Sequence, residues 1–138
     1  MKKGYRHEYK YLISGAASRL LKSRLRAFMR PDAHAGPTGQ YTIRSLYFDD
    51  YGDCCFHDNE YGAGPREKFR IRIYNASSER ITLECKRKER GKTHKTSCPL
   101  TVEQTRLLMD GKILPDMEAQ HPVLRKLTLL MLTRRMKP

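Results

Sequence analysis

Two segments of this chain alternate with a strand's period of two and put opposite chemistry on their two faces. "REKFRIRIYN", residues 66–75, sets Lys68, Arg70 and Arg72 on one side and Phe69, Ile71 and Ile73 on the other. "RITLECKRKE", residues 80–89, does the same with Glu84, Lys86 and Lys88 against Ile81, Leu83 and Cys85. The turn-forming "NASSE" lies between them, so an antiparallel hairpin is the simplest connection. One face of such a hairpin has to be covered. The other carries almost nothing but positive charge.

The remaining segments fit around that hairpin. "YRHEYKYLI", residues 5–13, alternates aromatic with charged residues and predicts a first strand with Arg6, Glu8 and Lys10 on one face. Ser14 is placed to cap a helix that runs to Pro31. Its apolar stripe is Leu21, Leu25 and Phe28, widened by Leu20 and Met29, and it is broad enough to cover a sheet. "YTIRSLYFDD" predicts another strand, and residues 51–67 a connector with room for a helical turn. "TVEQTRLLMDGK" carries a capping box, with Thr101 as N-cap, Gln104 three residues on and Gly111 as stop. "HPVLRKLTLLMLTRRMK" predicts a last, apolar helix that needs a surface to pack on. Strand, helix, strands, helices is the order of an α+β domain with a mostly antiparallel sheet.

The chain's 138 residues suffice for one domain with a core. Its 28 Lys and Arg against 15 Asp and Glu give a formal charge of +13, which points to a polyanionic partner. Cys54, Cys55, Cys85 and Cys98 form no C-x-x-C pair, so a zinc site is not expected, and small core positions are. The N-terminus has no apolar run of signal-peptide length, and no window approaches the ~20 apolar residues of a membrane span. A reduced, cytoplasmic protein is the reading these features support.

Same-face neighbours on a strand stand ~6.6–7 Å apart. Like charges at that spacing repel by roughly 0.6 kcal/mol in water and about 2.4 kcal/mol at an effective dielectric of 20. A solvent face usually mixes signs. Here the carboxylates are sparse, and the arginine forks suit phosphate oxygens. On repulsion alone, removing Arg70 and Arg72 is expected to abolish anion binding and leave the fold intact or more stable.

"RHEYKYLIS", "SLYFDD", "FRIRIYN" and "ITLECKRKERGKTHKTS", in that order and spacing, resemble the VTC domain. This is the polyphosphate-polymerase domain of the CYTH, or triphosphate tunnel metalloenzyme, superfamily. The resemblance runs over about residues 5–137. It implies a strand tunnel whose inward basic residues hold a triphosphate or polyphosphate. It also implies a phosphotransferase that passes phosphoryl groups from a nucleoside triphosphate to inorganic polyphosphate, assisted by manganese or magnesium. By the same resemblance, the phosphate-binding residues are Lys10, Arg70, Arg72, Lys86 and Lys95, with Lys68 and Lys88 as further candidates. The superfamily's opening Glu-x-Glu-x-Lys is here "RHEYK", with Arg6 at the first acidic place. Glu8 and Glu84 are the acids a metal could use, and neither is assigned as a ligand. The family domain runs longer, so residues 1–138 are expected to be the N-terminal portion of a tunnel domain. By itself this portion would be poorly active or inactive, with an open sheet edge through which copies could associate.

Two other functions compete. A basic sheet could bind nucleic acid, although no aromatic residue is read as interleaving with the cations on the proposed binding face, as a stacking platform normally requires. A sensor could bind phosphate chains without chemistry. No Ser-His-Asp or Cys-His arrangement and no P-loop stands out. His7, His34, His57, His94 and His121 are scattered, and Asp49 and Asp50 are expected to make turn hydrogen bonds.

Overall fold

The computed structural model describes residues 4–32, 35–62, 64–116 and 120–138. Five strands and four helices follow in the order β1 (Arg6–His7), α1 (Gly15–Leu25), β2 (Ile43–Phe48), α2 (Cys54–Glu60), β3 (Arg66–Tyr74), β4 (Ile81–Glu89), β5 (Lys92–Leu100), α3 (Val102–Met109) and α4 (Pro122–Thr133). His34 lies outside the described residues. The strands form one antiparallel sheet in the order β1-β5-β4-β3-β2, an α+β fold as expected. The sheet is open, with β1 and β2 at its edges.

The β3–β4 hairpin forms as the alternation predicts, with Ile71 opposite Leu83 and Lys68 opposite Lys86. The β4–β5 turn is two residues long. Arg90 and Gly91 both have positive φ, 48° and 73°, which is the backbone of a type I′ turn. That turn matches the strand twist and places Glu89 opposite Lys92.

One face of the sheet is the core. Phe48, Phe69, Ile71, Leu83, Cys85 and Cys98 line it, and α3 and α4 cover it with Leu108, Val123, Leu124, Leu127 and Met131. The last helix therefore has its packing surface, the sheet itself. The capping box of α3 closes in both directions: Thr101 Oγ1 accepts from Gln104 N at 3.1 Å, and Gln104 Oε1 accepts from Thr101 N at 3.0 Å. Thr101→Ala is expected to lower stability by about 1 kcal/mol, read as a shift in the urea midpoint with an unchanged slope.

Three expectations change. The first strand is only Arg6–His7; residues 8–13 leave the sheet, and Tyr9 and Tyr11 stand exposed. The helix capped by Ser14 ends at Leu25, and no residue of it is buried. Its stripe does not cover the sheet, because α3 and α4 occupy the apolar face and the opposite face is charged. Of the cysteines, Cys85 and Cys98 are buried core residues, Cys55 is half-buried and Cys54 is exposed.

Candidate anion-binding site

The face of the sheet turned away from the core is the basic one. Register decides who stands beside whom. Lys68, Lys86 and Lys95 line up abreast across β3, β4 and β5, and Arg66 stands directly opposite Lys88. Directly opposed like charges destabilise a sheet. The next row, Arg70, Glu84 and Ser97, carries a carboxylate.

These rows floor a cleft of about 270 Å³ lined by Lys10, Tyr47, Asn59, Arg66, Lys68, Arg70, Lys86 and Lys88. Six of these eight side chains are cations, and none is a carboxylate. Strand alternation supplies Arg66, Lys68, Arg70, Lys86 and Lys88. Lys10 arrives from the segment after β1, and Tyr47 from the edge strand, opposite Arg70. Asn59 comes from α2. The carboxylate of Asp49 accepts hydrogen bonds from Cys55 N (2.9 Å) and Phe56 N (3.1 Å), and that of Asp50 accepts from Cys54 N (3.0 Å). The two aspartates thus anchor the start of α2 by hydrogen bonding, as expected of them.

Glu84 organises the row above. Its side chain is 4% exposed. Arg70 donates to Glu84 Oε2 from Nε at 2.8 Å and from Nη2 at 2.6 Å, and Lys95 donates to Oε1 at 3.1 Å. Burial opposes ionisation, but these hydrogen bonds outweigh it and hold the carboxyl below its ordinary value. Arg70 Nη1 donates to the Tyr47 hydroxyl at 2.9 Å, with the guanidinium over the ring at 5.8 Å from its centre. Arg72 donates to Ser45 Oγ at 3.2 Å and stands 3.9 Å from Glu84. Lower in the cleft, Lys86 is paired with Glu8 at 2.9 Å, and the hydrogen bond from Lys86 lowers the Glu8 carboxyl. Among the described residues, Lys10, Lys68 and Lys88 make no ion pair.

Of the residues named from sequence, the cleft gathers Lys10, Arg70, Lys86, Lys68 and Lys88. Arg72 and Lys95 share the basic face but stand outside the cleft lining, beside Glu84. Lys68 and Lys88, the further candidates, are better placed than either. Arg66, Tyr47 and Asn59 are not among the phosphate-binding residues named from sequence. Arg66 was legible as the next same-face cation of β3; Tyr47 and Asn59 depend on which elements flank that strand. Tyr47 also corrects the expectation that the basic face lacks an aromatic residue. The expectation for the stability of a variant without Arg70 changes as well: this side chain neutralises a buried acid, so its loss is expected to destabilise the fold.

A divalent ion finds no ready-made site among the described residues. Among the described residues no group of three or more His, Cys, Asp or Glu is placed to hold one, and Glu8 and Glu84 are committed to cations. None of the four cysteines has its thiol lowered towards the thiolate. Burial pushes the Cys55 thiol up to about 12 and those of Cys85 and Cys98 to about 11, and the hydrogen bond with Asp50 raises that of Cys54. No helix of the described residues is long and apolar enough to cross a membrane.

No curated protein matches the chain. The VTC domain family matches it over residues 5–138, from the residue before β1 to the last, so the match takes in every strand that builds the cleft. The chain belongs to the VTC domain family.

Proposed function

We propose that the basic cleft binds the phosphate chain of a nucleoside triphosphate or of inorganic polyphosphate, and that it serves phosphoryl transfer from the first to the second. The observation that carries this reading is a single cleft with six cationic side chains and no carboxylate in its lining. Lys10, Lys68 and Lys88, without an ion pair among the described residues, would take the phosphate oxygens directly. Arg70 would add the two terminal N–H donors left after its bonds to Glu84 and Tyr47. Catalysis would rest on positioning and on neutralising the charge that spreads over the transferred group, which calls for no acid–base pair. Family membership supports a polyphosphate-related role.

Tripolyphosphate at 100 times its Kd is expected to stabilise the protein by about 2.7 kcal/mol, a Tm rise of roughly 10 °C. Sulfate at equal ionic strength should give a much smaller rise. Equal responses would overturn the assignment. Transfer is checked separately, by following the growth of polyphosphate from ATP with manganese or magnesium present. Tyr47 beside Arg70 favours one rival, since a base could stack there. Nucleic-acid binding would show as tight, steeply salt-dependent affinity for RNA or DNA that tripolyphosphate does not compete away.

A further inference from the structure

Glu84 is the most buried charged side chain of the basic face, yet it lies outside the cleft lining. If it acted only as a charge, it would repel an incoming anion. Its contacts indicate a different role. Both bonds from Arg70 go to one oxygen, Oε2, and Lys95 occupies the other. The guanidinium's Nε edge is thereby turned into the protein, and the Tyr47 hydroxyl takes a third donor on Nη1. Of the five N–H donors of an arginine, three are then fixed, and the two remaining belong to the terminal nitrogens. Arg70 lines the cleft in this one orientation. A long side chain held at both edges has little rotamer freedom left to lose when a ligand arrives.

We propose that Glu84 is a positioning residue, which locks Arg70 so that its terminal nitrogens meet a phosphate group in the cleft. The inference rests on the phosphate-binding reading of the cleft. It makes a prediction opposite in sign to charge counting. Removing a negative charge from a cationic face should tighten anion binding if that charge merely repels. Glu84→Gln should instead weaken it, because the amide offers one oxygen acceptor where the carboxylate served Arg70 and Lys95 together.

The test is calorimetric titration of the full chain with tripolyphosphate. Glu84→Gln is expected to lose about tenfold in affinity, and Tyr47→Phe, at an exposed position, about threefold. Adding Arg70→Ala to Glu84→Gln should cost little more, because an unclamped Arg70 contributes little. The Arg70 Nε–H resonance should be resolved in the parent protein and lost in Glu84→Gln. Unchanged or tighter binding by Glu84→Gln would overturn the proposal. Should that variant fail to fold, Tyr47→Phe decides, and parent-like affinity there would overturn it equally. If the parent protein itself binds no tripolyphosphate, the reading of the cleft fails and the positioning role falls with it.

Discussion

Arg70→Ala is expected to destabilise the protein by about 3 kcal/mol at pH 7, measured by urea unfolding. The variant removes a cation from a crowded cationic face, and repulsion alone would make it more stable. The carboxyl it leaves behind decides the outcome. Glu84 is 4% exposed and loses two of its three short hydrogen bonds, keeping only the one from Lys95, itself 46% exposed. Truncating the main partner of a buried carboxylate leaves it only partly compensated, here by Lys95 at 3.1 Å and Arg72 at 3.9 Å, and that penalty is expected to exceed the ~2.4 kcal/mol or less gained by removing a like-charge neighbour.

The pH dependence separates the two effects. In the parent protein the Glu84 carboxyl lies below its ordinary value, so it contributes stability above the unfolded value of about 4.3. That contribution is lost as pH falls through the lowered folded value. In Arg70→Ala the Arg70 hydrogen bonds that lower the carboxyl are gone while burial still raises it, so the carboxyl is expected to titrate higher than in the parent. Protonating it then relieves the variant, so the gap to the parent should narrow as the pH is lowered from 7 towards 4. A gap that stays constant over that range would show that the lost stability has another origin.

The second large effect is on binding. Replacing Lys68 and Lys88 together with alanine is expected to lower tripolyphosphate affinity by about 100-fold or more. Each is a cation of the cleft lining with no ion pair among the described residues, and a hydrogen bond to a charged group contributes about 1.5–3 kcal/mol. Stability should be unchanged or slightly raised, because Lys68 faces Lys86 and Lys88 faces Arg66 directly across the strands. The opposing signs, weaker binding with no loss of stability, distinguish these lysines from Arg70. A matched Arg72→Ala and Lys95→Ala pair, outside the cleft lining, should lose less. If that pair loses as much as the lysine pair, the binding site extends over the whole basic face.

Much of this protein is legible along the chain. A period of two over about 67–74 and within 80–89 predicts both strands and the shared side of Lys68, Arg70 and Arg72 and of Lys86 and Lys88, because alternation is a property of a strand's own backbone. Thr101 with Gln104, and Ser14 before the first helix, are likewise local devices, and both cap as expected. The aspartates at 49 and 50 read as local hydrogen-bonding residues, and they bond at the start of α2. Hydrophobic stripes are weaker guides. The stripe of α1 is as regular as that of α4, yet only α4 is buried, since a helix face carries no information about which surface is already occupied.

Alternation along a strand specifies a face and leaves neighbours open. Which cations stand abreast is settled by register, a relation between distant segments that a two-residue turn at 90–91 transmits to β4 and β5. Register places Lys68 beside Lys86 and turns a scattered basic pattern into a cleft, with Tyr47 and Asn59 added from elements that flank β3. It also places Arg70 against Glu84. A carboxylate read in a row of lysines looks like one more surface charge. Flanked on both sides by strands it loses its water, and from then on hydrogen bonds rather than net charge set what its neighbours can do.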